Sequence, residues 1–126
     1  MNELKVLVKK VDEMPEIKTI DSSLESLQKV VGGLIEVVYI TDDILLIINE
    51  EGKINDSEMN FTWVTIEEEE NKFYYHFKDF IFGDVFFVGD GGSTFKSLTD
   101  EQIHSIVASF DLNGTLFIAD KVKTTV

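Results

Sequence analysis

Two apolar runs, Leu34–Ile40 and Ile44–Ile48, stand three residues apart, and the residues between them are Thr41, Asp42 and Asp43. Turn residues between β-branched runs specify a hairpin. A later stretch, Phe80–Val88, is apolar except at Gly83 and Asp84, and it reads as a central strand covered on at least one face. With 126 residues, 44% of them hydrophobic, the chain can close one core around such a sheet and is too short for two. A single domain over residues 1–126 is expected.

Other strands follow from local pattern. Leu4, Val6 and Val8 alternate with Lys5, Leu7 and Lys9, while Glu16–Ile20, Phe61–Ile66, Lys72–Phe77 and Thr115–Ala119 also read as strands. Asn49 to Lys53 form a turn in which Gly52 can take a positive φ, and Asn113-Gly114 form another. One helix follows Asp21-Ser22-Ser23. Ser22 and Glu25 have capping-box spacing, Leu24, Leu27, Val30 and Val31 share a face, and Gly32-Gly33 stop it. The second helix is Leu98–Phe110, with Thr99 and Gln102 as a capping box and Ile103, Ile106, Val107 and Phe110 facing inward. The sum is an α+β fold, a mainly antiparallel β-sheet with two α-helices packed most simply on one face.

Charge narrows the function classes. All eleven basic residues are lysines, set against 24 acidic ones, for a net charge of −13. Residues 40–70 carry −9 of this: Asp42, Asp43, Glu50, Glu51, Asp56, Glu58, Glu67, Glu68, Glu69 and Glu70 oppose Lys53 alone. Such a field repels phosphate backbones and anionic membranes, and without arginine there is no bidentate phosphate clamp. Direct nucleic-acid or membrane binding is therefore not expected. Cysteine is absent, which removes disulfide and thiolate chemistry. The first ten residues alternate instead of forming a signal-peptide core, and the longest purely apolar run, Ile44–Ile48, falls far short of the ~20 residues that span a bilayer. Cytoplasmic residence is the resulting expectation.

Several stretches carry a family likeness: the amino-terminal strand with Met14–Ile17, then Val31–Lys53, then Gly83–Gly89 followed by Ser97–Ile103. They resemble a family of small bacterial, phage and plasmid proteins known as a domain of unknown function with an Asn-Glu-Glu-Gly motif. Asn49, Glu50, Glu51 and Gly52 match that motif. The likeness covers about residues 1–53 and 80–110. Between them the family pattern has a short proline-containing loop, where this chain has an aromatic hairpin. The resemblance implies an α+β fold and residence on mobile genetic elements. It brings no catalytic residue, and a structural turn is the simpler reason for the motif.

Catalytic patterns are weak. The two histidines, His76 and His104, have no nucleophile motif beside them and read as structural or surface residues. Asp111–Gly114 resembles part of a calcium loop but lacks the distal acidic ligand, so a hairpin turn is the better reading. Gly89–Ser93 follows a strand, yet it lacks the ending that cradles phosphate. Asp42, Asp43, Glu50 and Glu51 could gather a hard divalent ion only if their turns share a sheet end, and a solvated rim is the plainer account. No enzymatic activity, cofactor or metal is expected.

Glu67–Glu70 remain, lying between two aromatic strands. They can simply blunt a sheet edge and keep it soluble. In a functional reading, Phe61, Trp63, Phe73, Tyr74, Tyr75 and Phe77 supply anchors. The glutamates, with Asp42, Asp43, Glu50 and Glu51, supply a broad anionic surface that steers a basic protein partner. The expectation is an acidic protein-binding module with Trp63 and Tyr75 as contacts. Its sharpest form is an inhibitor of a host defence nuclease acting by nucleic-acid mimicry, since mobile elements carry proteins that block host nucleases. The alternatives are a homodimer paired through the aromatic hairpin, an accessory domain with no charged partner, and a small divalent-metal-dependent enzyme.

Overall fold

The computed structural model describes residues 3–54 and 57–119, so Asp56 of the acidic segment lies outside the described residues. In chain order the elements are β1 (Glu3–Lys9), β2 (Glu16–Asp21), helix α1 (Leu24–Val31), β3 (Ile35–Tyr39), β4 (Ile44–Asn49), β5 (Met59–Glu69), β6 (Lys72–Phe82), β7 (Val85–Asp90), β8 (Phe95–Lys96), helix α2 (Asp100–Ala108) and β9 (Thr115–Ala119). The α+β class and the mainly antiparallel pairing agree with the sequence.

The strands form two sheets. The larger has the order β2-β1-β7-β4-β3, with β8 pairing on the end of β7, and the smaller has the order β6-β5-β9. Pairing is antiparallel except between β5 and β9. β7 sits at the centre of the larger sheet, and its apolar run explains the layering. Val85, Phe86, Phe87 and Val88 are all 0% exposed because alternate residues enter different cores. Phe87 packs with Leu7, Leu46, Phe61, Ile106 and Leu116. Phe86 and Val88 pack with Val6, Val8, Ile47, Leu27 and Val31 on the opposite face. Each such side chain contributes about 1.5–3 kcal/mol on burial.

Both helices on one face is therefore a reading that needs correction. α1 covers one face of the larger sheet through Leu27 and Val31, whereas α2 and the smaller sheet cover the other. A strand that is apolar on both sides needs cover on both sides.

Phe80–Val88 is also not one strand. Gly83 takes φ 76° and carries the chain out of β6 in the smaller sheet and into β7 in the larger. A left-handed φ of this kind suits glycine. The crossover is pinned by Asn60, whose Nδ2 donates to the carbonyls of Lys9 (2.8 Å) and Gly83 (2.7 Å). The buried Lys9 Nζ in turn donates to Asn60 Oδ1 and to the Lys10 carbonyl, both at 2.8 Å. Burial holds the Lys9 ammonium below the ordinary lysine pKa, with Asp12 and Asp84 opposing that shift.

The helix ends differ in how closely they follow the sequence. α1 is capped by Ser23, whose Oγ accepts from the Ser26 N–H, so the Ser22–Glu25 box does not form. Leu27 and Val31 are buried, but Leu24 stays exposed. In α2 the Thr99–Gln102 box is complete in both directions. Ile103 and Ile106 face inward, and Phe110 meets Phe61 edge-on at 5.1 Å. Val107 does not face inward and is exposed.

Candidate functional site

The β5–β6 hairpin is the longest paired element, and its two faces differ. Residues 61, 63 and 65 of β5 point into the core, so Phe61, Trp63 and Thr65 are buried together with Ile81, Leu116 and Ile118. The register then sends Thr62, Val64 and Ile66 outward, beside Phe80, Phe77 and Tyr75 of β6. An irregularity between Trp63 and Val64 leaves Lys78 as an extra residue on β6, a bulge that bends the strand. The outer face carries Phe73, Tyr75, Phe77 and Phe80, all exposed. Phe77 and Phe80 rings lie 4.8 Å apart, and Tyr75 meets Phe117 of β9 edge-on at 6.0 Å.

Trp63 is the main correction to the expected site. It is only 8% exposed and belongs to the core, so it cannot be a partner contact in this fold. Lys78 Nζ lies 5.8 Å from the centre of its ring. Its indole Nε1 and the Thr65 Oγ1 are buried without a hydrogen-bond partner among the described residues. Phe61 is likewise interior. Tyr75, by contrast, is exposed on the outer face, opposite Ile66.

The glutamates close the hairpin. Glu70 (φ 51°) and Asn71 (φ 65°) are consecutive left-handed residues between Glu69 and Lys72, the backbone of a two-residue turn that matches strand twist. Glycine or asparagine usually fills such positions, and a left-handed glutamate costs on the order of 1–2 kcal/mol. Strand alternation divides the charges. Glu67 lies opposite Tyr74 and its Oε2 is 3.1 Å from His76 Nε2, both on the inward side. Glu69 lies opposite Lys72 on that same side, while Glu68 lies opposite Phe73 on the outer face. Same-face neighbours are ~6.6 Å apart, which lowers the mutual repulsion of four adjacent carboxylates.

Asp42 and Asp43 do not join Glu50 and Glu51. The two pairs flank β4, whose six residues hold them about 20 Å apart. The broad surface expected from several acidic turns is thus divided between opposite ends of that strand. Asp43 has a structural part: its Oδ1 accepts from Thr41 Oγ1 at 2.7 Å and its Oδ2 from Gln102 Nε2 at 3.1 Å, which ties the β3–β4 turn to the start of α2.

The Asn49–Gly52 segment is a latch between elements. Asn49 is buried, its Nδ2 donates to the Val31 carbonyl at the end of α1 (3.1 Å), and its Oδ1 accepts from the Glu51 N–H (2.8 Å). Gly52 does not use a positive φ. Its place is set by crowding, since a Cβ there would lie 3.3 Å from both the Asn49 and Phe82 carbonyl oxygens. The structural reading of this turn has a direct geometric basis.

Elsewhere, Asp111 Oδ1 accepts from the N–H groups of Asn113 and Thr115, which shapes the expected hairpin turn. Among the described residues, no group of three histidine, aspartate or glutamate side chains is placed to hold a metal ion, and no helix is long and apolar enough to cross a membrane. An open groove of about 860 Å³ lies beside the start of α1, with Leu4, Leu27, Leu45 and Phe95 among its lining. Its serines have no histidine beside them in that lining.

These features define a two-sheet α+β domain with one long hairpin that is aromatic on its outer face and tipped by glutamates. The chain belongs to the family described as a domain of unknown function, DUF3846, whose model matches residues 4–111. The matched span includes the hairpin. No curated protein and no solved structure matches the chain.

Proposed function

We propose that this chain is a non-catalytic protein-binding module, with the β5–β6 hairpin as its contact element. The observation that carries the reading is the coincidence of four exposed aromatics, Phe73, Tyr75, Phe77 and Phe80, on one face of a hairpin that ends in four glutamates. Aromatic side chains give large contact area, and they are enriched where proteins meet. The carboxylates steer a basic partner and speed its approach. Glu67–Glu70 are the carboxylates of the hairpin tip itself, with Lys72 opposite Glu69. This favours a partner with a compact basic patch beside an apolar strip.

The sharpest form of the proposal is a mobile-element inhibitor that inserts the hairpin into the basic groove of a host nuclease. Capture from a bacterial lysate at low and moderate salt tests it, using the wild type, a variant with Glu67, Glu68, Glu69 and Glu70 all changed to Gln, and Tyr75→Ala. Salt-sensitive recovery of a basic protein, reduced ~10-fold or more by the glutamine changes, is the expected result. Equal recovery by all three proteins at low salt would count decisively against the hairpin as contact element.

A further inference from the structure

Among the described residues no strand pairs with the outer edge of β6, and we infer that two copies of this chain join there, antiparallel and centred on Tyr75. β6 is an edge strand of eleven residues, against six for β2 and five for β3, the edge strands of the larger sheet. The outer side of β9, by contrast, is covered: Phe117 N–H donates to the Ser109 carbonyl and Asp111 N–H to the Thr115 carbonyl. Every residue from Lys72 to Lys78 is exposed. Between the flanking lysines, Phe73 to Phe77 contain neither proline nor a carboxylate or lysine, the usual guards of a free edge.

The stretch Phe73-Tyr74-Tyr75-His76-Phe77 is nearly the same read in either direction. A twofold interface brings the same patch of each copy together, so such symmetry is what it requires. Pairing about Tyr75 sets Phe73 against Phe77 of the second copy, Tyr74 against its His76, and the two Tyr75 residues against each other. Residues 73, 75 and 77 lie on the outer face and 74 and 76 on the inner one, so every pair meets on a shared face. Cross-strand aromatic pairs favour such an arrangement. The Lys78 bulge ends the regular stretch and limits it to these five positions.

Charge selects the direction. Each copy carries −13, and a parallel arrangement would place eight glutamates at one end. In the antiparallel one, five residues separate Tyr75 from each tip, so the tips stand about 34 Å apart, several times the ~8 Å screening length at physiological salt. Phe73, Tyr75 and Phe77 are 59%, 63% and 57% exposed. With ~150–250 Å² per aromatic side chain, they offer roughly 350 Å², under half of the ~800 Å² per partner in a standard interface. The dimer is accordingly reversible and depends on concentration. It shares Phe73, Tyr75 and Phe77 with the basic-partner reading but does not use the glutamates, which stay free at both tips and so tell the two apart.

The cysteine-free chain allows a direct test. Across the twofold axis, the Cα atoms at position 75 come within ~4.5–5.5 Å, inside the ~4.4–6.8 Å range for a disulfide. At position 73 the equivalent atoms are ~13 Å apart. Tyr75→Cys under mild oxidation is expected to give covalent dimer, and Phe73→Cys, similarly exposed, is not. Sedimentation at roughly 100 μM should show wild-type dimer, with the dissociation constant raised at least ~10-fold by Tyr75→Lys, which places two ammonium groups face to face. The four-glutamine variant should retain the dimer even if partner capture is lost, which separates this inference from the proposal above. A wild-type monomer at that concentration, or equal cross-linking at 73 and 75, overturns it.

Discussion

Removing the Asn49 side chain should loosen the junction between α1 and β4, and the structure lets the cost be worked out. Asn49→Ala deletes two hydrogen bonds, one to the Val31 carbonyl and one from the Glu51 N–H. Glu51 is exposed, so water can replace its partner at a loss of ~0.5–1.5 kcal/mol. Val31 is buried, and an unsatisfied carbonyl there costs ~1–3 kcal/mol. The total is about 1.5–4.5 kcal/mol, a large part of the ~5–15 kcal/mol that holds a domain together. Gly33 supplies the control. A Cβ at that position would lie 2.9 Å from Asn49 Nδ2, and Asn49 cannot swing away without losing both bonds. Gly33→Ala therefore costs ~1–3 kcal/mol by overpacking in the wild type. In the Asn49→Ala background the obstacle is gone, and alanine should be neutral or stabilising by up to ~0.4–1 kcal/mol through its stiffer unfolded chain. Urea unfolding of the four proteins, with matched slopes, measures the coupling. Effects that simply add to within ~0.5 kcal/mol would refute the account.

Two further outcomes follow from the same geometry. Trp63→Ala should cost ~3–5 kcal/mol by leaving a core cavity, while Trp63→Phe should cost under ~1.5 kcal/mol because the indole N–H has no partner to lose; chemical denaturation distinguishes this from a surface contact, for which both changes would be nearly silent. The Asp21 carboxyl is held below the usual aspartate range by hydrogen bonds from Ser23, and that of Asp100 by Lys5. Folded values below the unfolded 3.8 mean a stabilisation present above that pH and lost as acid brings the pH down through the folded values, so an Asp21→Asn, Asp100→Asn variant should show a shallower acid loss of stability in a pH series of melting curves.

The sequence revealed the elements more readily than their arrangement. The β3–β4 hairpin and the Thr99–Gln102 box were legible because their signals are local, two residue types at a fixed spacing. Phe80–Val88 hid its break, since Gly83-Asp84 sits between apolar residues that belong to two sheets. The unbroken Val85–Val88 run did carry part of the missing information: side chains buried on both sides of a strand imply cover on both sides, though not which element supplies it. The sequence does not show which way Trp63 points, because β5 is apolar on both faces near it, with Phe61 and Trp63 on one and Val64 and Ile66 on the other. Only the register with β6 and β9 decides which face is inside. The division of the acidic turns was legible too, as Asp42-Asp43 and Glu50-Glu51 bracket a single six-residue strand.

The central position of β7 has a consequence for how the chain acquires its shape. Its partners β1 and β4 are made long before it, and Leu7 lies opposite Phe87, eighty residues further on. Until Val85–Asp90 leaves the ribosome, the β1–β2 and β3–β4 hairpins lack the strand that joins them, and the apolar sides that pack against it stay uncovered. High contact order of this kind slows folding. A nascent chain cut before residue 85 would hold every strand of the larger sheet except β7 and β8, and still lack the one strand that joins its β1–β2 and β3–β4 hairpins.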